Sequence, residues 1–100
     1  MLTAQAQYAG ARRQIEAELA GARHALGAAQ DQTPLIEARL QAVRQAVARL
    51  RRSYNAGEIG LFDLLRARST LYEAEEASLA NRLAAARARS RVSQAAGLVP

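Results

Sequence analysis

One hundred residues allow one small domain or a piece of a larger one. A quarter of the chain is alanine and only four residues are aromatic, which excludes a bulky globular core and suits close helix-to-helix packing, as in coiled coils. The absence of cysteine excludes disulfides and thiolate metal sites and leaves the compartment open. The net charge of +5 rests on fourteen basic residues, all arginine, and a basic chain invites a nucleic-acid reading. The arginines, however, run from Arg12 and Arg13 to Arg89 and Arg91 and are interleaved with Glu16, Glu18, Glu37, Glu73, Glu75 and Glu76. They read as solvated helix faces with support between neighbouring turns, as in Glu37 near Arg39 and Arg44, and no nucleic-acid partner is expected.

The chain opens on Met1-Leu2-Thr3-Ala4-Gln5, which has neither a basic start nor an apolar run, so no signal peptide is expected here. A parent protein outside the cytoplasm would make this chain a fragment without its export signal. No segment approaches the uninterrupted apolar length that spans a bilayer. From Tyr8 a heptad stripe runs through Arg12, Ile15, Leu19, Ala22, Leu26, Ala29, Thr33, Ile36, Leu40, Val43, Val47, Leu50 and Tyr54, in alternating steps of four and three. Its first half is weak, with alanines and Arg12 on it; from Ile36 onward it is strong. Thr33 is a fair N-cap and Pro34 suits a first helical position, which suggests an interruption. The heptad phase nevertheless carries straight through Thr33, so the expectation is one helix with a kink or short irregular turn near Gln30 to Pro34. Three helices remain the alternative.

Tyr54-Asn55-Ala56-Gly57-Glu58-Ile59-Gly60-Leu61 follows, the only cluster of helix-breaking residues between two regular repeats. Gly57 can take the left-handed conformation that closes a helix, and Gly60 gives a second point of freedom. The second arm carries two adjacent stripes, one through Leu64, Leu71, Ser78, Ala85 and Val92, the other through Leu65, Tyr72, Leu79 and Ala86. One seam packs on the first arm and the other is left for a neighbour. Gly97, before Leu98-Val99-Pro100, is a stop signal. The expected fold is all-α: a long antiparallel coiled-coil helical hairpin, with a first arm over 1–54, a tip turn over 55–60 and a second arm over 61–97. Small chains bury a small fraction of their surface, so this one is expected to need partners.

Catalytic chemistry finds no footing. His24 is the only histidine, with no second ligand one turn away, and no Ser/His/Asp set can be built around it. Glu73 and Glu75 point to different helix faces, which argues against a hard-cation site with Glu76. Gly57-x-x-Gly60 does not follow a strand, so a phosphate loop is excluded on context. No enzyme, cofactor or metal site is expected.

The tip and second arm carry a family signature. Tyr54-x-Ala56-Gly57-Glu58-Ile59-x-Leu61-x-Asp63-Leu64-Leu65-x-Ala67, then Leu71 and Ala74-Glu75, resembles the C-terminal repeat of the TolC-like outer membrane efflux proteins. Val92-x-Gln94-Ala95-Ala96-Gly97-Leu98-Val99-Pro100 resembles the close of that repeat, and the Gly-Glu-Ile and Asp-Leu-Leu wording looks most like channels of heavy-metal efflux systems. The resemblance implies trimers with a β-barrel in the outer membrane and an α-helical barrel crossing the periplasm, to which each protomer gives two hairpins. This chain is similar to the second. It further implies tip-to-tip docking with a periplasmic adaptor protein, and through it an inner-membrane pump, at Tyr54, Ala56, Gly57, Glu58 and Leu61. Asp63 matches an aspartate that narrows the channel aperture in the family. Arg66 stands where a second aspartate often follows, so the two are expected to pair on the helix. Rival readings are the adaptor's own hairpin, which is equally Ala- and Arg-rich, and a generic basic coiled coil binding nucleic acid or anionic membrane, whose affinity would fall steeply with salt.

Overall fold

The computed structural model describes residues 3–98. The N-terminal Met1-Leu2 and the closing Val99-Pro100 of the family-like ending lie outside the described residues. Two helices account for the architecture: α1, Thr3–Asn55, and α2, Leu61–Leu98. They form the helical hairpin that the periodicity predicts, with no strand among the described residues.

The three-helix alternative is overturned. α1 is helical through Gln30 to Pro34, with Pro34 in its interior, and no irregular turn forms there. Proline removes one backbone donor and normally costs a helix several kcal/mol, roughly 3. Here Gln30, Asp31, Gln32 and Pro34 are all exposed, so water can satisfy the carbonyl that the missing N–H abandons. On either side of the proline the helix is held by its buried stripe. α2 is helical through Leu98, one residue past Gly97.

Contacts divide the chain into two units, Gln32–Arg82 and Met1–Asp31 with Leu83–Pro100. In the second of these the core is almost entirely alanine: Ala22, Ala29, Ala85, Ala88 and Ala95 are buried. Ile15, Leu19 and Leu26 are half-buried on the same stripe, whereas Tyr8 and Arg12 at its start are exposed. Arg12 leaves the seam for a surface ion pair with Glu16 at 3.1 Å, an exposed contact worth little. Alanine against alanine lets two backbones approach closely but buries little apolar area.

The Gln32–Arg82 unit has the larger side chains. Leu40, Leu64 and Ala74 are buried, with Ile36, Val43, Val47, Leu50, Ala67 and Leu71 half-buried around them. Along α2 the withdrawn positions are Leu64, Ala67, Leu71, Ala74, Ser78 and Asn81, the three-four spacing of a coiled-coil seam. The alanines of this set supply the second half of the seam that the seven-residue repeat alone does not show.

A polar layer crosses this seam. The Thr33 hydroxyl donates to the Asn81 side-chain oxygen at 2.7 Å. The Ser78 hydroxyl donates to Glu37 Oε1 at 2.6 Å, and Arg82 reaches both oxygens of the same carboxylate at 3.3 and 3.4 Å. Glu37 therefore holds the opposite arm rather than serving only its own helix, as the pairing expected with Arg39 and Arg44 had it. Ser78 and Asn81 are buried, and no buried side-chain nitrogen or oxygen among the described residues lacks a partner. A satisfied polar layer in an apolar seam selects one axial alignment, because a slip of a heptad would strand each group.

The hydrogen bond from Ser78, with smaller help from the charges of Arg82 and Arg44, holds the Glu37 carboxyl below its ordinary range despite partial burial, which acts the other way. A carboxyl depressed in the folded state stabilises the fold above its unfolded pKa and loses that contribution as pH falls through the folded value. Wild type should therefore lose stability through the acid range more steeply than Glu37→Gln, which chemical denaturation at stepped pH would measure. In the same assay Leu40→Ala, at a site 2% exposed, should cost about 2–4 kcal/mol. Leu35→Ala, at a site 75% exposed, should stay within about 0.5 kcal/mol of wild type.

Candidate functional site: the tip of the hairpin

The turn is built by one glycine. Gly57 has φ +76°, the only positive φ among the described residues. Its N–H donates to the Tyr54 carbonyl at 3.0 Å, and the Glu58 N–H donates to the Ser53 carbonyl at 2.9 Å. These two bonds around a left-handed residue form the Schellman closure, which satisfies carbonyls that a helix end otherwise leaves bare. Ala56 completes the end, its N–H donating to the Arg52 carbonyl at 3.0 Å.

Gly60 works differently from expectation. Its φ is not in the left-handed region, so the freedom glycine offers is not used. Its carbonyl accepts the first bond of α2, from the Leu64 N–H at 3.4 Å, making Gly60 the N-cap. Asp63 falls in the first turn of α2, where a carboxylate meets the positive end of the helix dipole. Ile59 and Leu64 occupy the two positions of a hydrophobic staple, and both are withdrawn from solvent.

Around this frame the tip is apolar and exposed. Tyr54 and Leu61 are half-open, Phe62 is 81% exposed, and Ala56, Gly57 and Glu58 face solvent. Phe62 belongs to neither seam of α2, so the repeat gives it no role; its signal in the sequence is being a bulky apolar residue off both stripes. A shallow depression lined by Leu50, Ile59, Asp63, Arg66, Ala67 and Thr70 lies beside the turn. Asp63 and Arg66 are exposed, and among the described residues no ion pair joins them, contrary to the pairing expected on the helix. The three glutamates at 73, 75 and 76 do not gather either: no group of metal-ligating side chains occurs among the described residues.

The second stripe of α2 is the other open surface. Leu65, Tyr72 and Leu79 remain 49, 62 and 58% exposed, although the neighbouring seam is buried. No described helix is long and apolar enough to cross a membrane. Together these features define a class: an antiparallel coiled-coil hairpin with a small-residue tip and an unfilled lateral seam. A family model described as outer membrane efflux protein matches residues 1–98, and the chain belongs to that family. Neither a curated protein nor a solved structure matches it in comparison. Membership places the chain on the channel side of the two hairpin readings, as a helical part of a transport component.

The turn makes a sharp distinction between its glycines. Gly57→Ala should lower stability by about 1–2 kcal/mol, through backbone strain alone, since open space surrounds the added Cβ. Gly60→Asn should leave stability within about 0.5 kcal/mol, because asparagine is a good N-cap and a Cβ added there meets nothing beyond its chain neighbours. Thermal unfolding of the two variants checks both.

Proposed function

We propose that this hairpin is a periplasmic element of an outer membrane efflux channel and that its tip docks on the hairpin tip of an adaptor protein linked to an inner-membrane pump. Family membership supports the channel; the exposed apolar turn supports the docking. The single observation that carries it is the tip itself. Leu61 and Phe62 stand open to solvent beside a turn whose Ala56, Gly57 and Gly60 add almost no bulk. Two helical tips can interlock only where the turn is thin, and the apolar pair offers something to bury once they do.

In this reading Tyr54, Ala56, Gly57, Glu58 and Leu61 make the docking surface, and Phe62 joins them. Asp63 and Arg66, exposed and unpaired with each other, sit just behind it and face the aperture of the assembled channel. The open stripe through Leu65, Tyr72 and Leu79 supports a trimeric helical barrel, in which each helix meets a neighbour on both sides. The Gly57-Glu58-Ile59 and Asp63-Leu64-Leu65 wording supports a metal-exporting branch of the family.

The test uses the full-length channel and the adaptor of the same efflux system. Leu61→Ala should weaken adaptor binding about tenfold, in line with the burial of one large side chain. Gly60→Asn, which the fold tolerates, should weaken it comparably by thickening the turn, whereas Arg87→Ala should leave it unchanged. Adaptor binding that is indifferent to both tip variants would refute docking at this surface.

A further inference from the structure

The interarm bonds fix which residues of the two arms stand opposite one another. Glu37 pairs with Arg82 on the flank of the seam. One heptad toward the tip, the antiparallel register sets Arg44 opposite Glu75; two heptads on, it sets Arg51 opposite Arg68. The first rung is an ion pair in the structure; the second sets opposite charges at facing positions, with no ion pair formed between them among the described residues. The third, nearest the tip, sets two arginines at facing flank positions. Arg51 and Arg68 are both exposed, and neither takes part in an ion pair among the described residues. Like charges on facing flank positions weaken a coiled coil, and a local rule broken without a compensating contact points to a functional position.

The surroundings say what such a rung can receive. Leu61, one heptad from Arg68 on the same flank of α2, is exposed, and so is Phe62 beside it. A carboxylate seated between Arg51 and Arg68 would gain charge-assisted hydrogen bonds from both, while its own chain covered Leu61 and Phe62. We infer that Arg51 and Arg68 form a receptor for an acidic side chain, Asp or Glu, on an amphipathic helix of the docking partner. This rests on the docking reading above and adds the chemistry of the partner: a helix presenting a carboxylate beside an apolar patch. A phosphate-bearing surface fits less well, since the apolar side chains next to the rung would find nothing to bury against.

The like-charge rung gives the test two independent readouts, taken on the full-length channel with the adaptor of the same system as probe. Arg68→Glu should raise the thermal midpoint, because it makes the rung complementary, and should lower adaptor affinity tenfold or more at low salt. The double variant Arg51→Glu with Arg68→Glu should return the midpoint toward wild type yet stay defective in binding. The affinity gap between wild type and either variant should narrow as salt rises. Failure of Arg68→Glu to stabilise would overturn the rung geometry. Unchanged adaptor binding by Arg68→Glu, with Leu61→Ala still defective, would overturn the receptor while leaving tip docking intact. Absence of adaptor binding by the wild type would overturn both. Capture of phosphatidylglycerol vesicles that is lost in the double variant, with adaptor affinity unaltered, would assign the rung to a phosphate surface and overturn the proposal.

Discussion

The left-handed backbone at Gly57 is the constraint on which the rest depends. A helix of fifty-three residues must stop, release its last carbonyls and send the chain back antiparallel within five residues. The two bonds of the Schellman closure do the first part, and the cap at Gly60 with the staple of Ile59 and Leu64 begins the return. Once the turn length is fixed, so is the register, and each heptad of α1 meets a defined heptad of α2. The polar layer of Thr33, Asn81, Ser78 and Glu37 then holds that register from within the same unit.

Register turns a periodic sequence into a surface with positions. Leu40 of α1 and Ala74 of α2 are the most deeply buried residues of the seam, a large side chain on one arm and a small one on the other. The same alignment decides the flanks, where it pairs Glu37 with Arg82 and, nearer the tip, sets Arg51 and Arg68 at facing positions. Open surface gathers where packing demands stop: at the exposed Leu61 and Phe62, at Asp63 and Arg66, and along the stripe that α1 never covers. A hairpin of this kind leaves its best apolar surface uncovered by its own arms.

Much of this was legible in the residues. The stripe from Tyr8 to Tyr54 is the buried face of α1 between Ile15 and Leu50, and the two stripes of α2 part into one buried and one open. Those features survive because they depend on a single helix at a time. Pro34 misled, since its chemistry argues for a break and only its exposure explains why none forms. The ties of Glu37 to Ser78 and Arg82 could not be read from spacing along one helix, because they exist only after the register is known. The tip is visible through its glycines, yet Gly60 serves as a cap, and Phe62, outside both repeats, carries no periodic signal of its role.

The register is the central claim, and a pair of distances tests it most directly. The chain has no cysteine, so spin labels can be placed on engineered thiols at 51 and 68 in one sample and at 51 and 75 in another. The register described above predicts the shorter separation for 51 with 68, and a separation longer along the axis, offset by about 10 Å, for 51 with 75, one heptad of rise. Equal separations, or the shorter one at 75, would mean that the arms are aligned differently, and the charge rungs and the tip built on that alignment would fall with it.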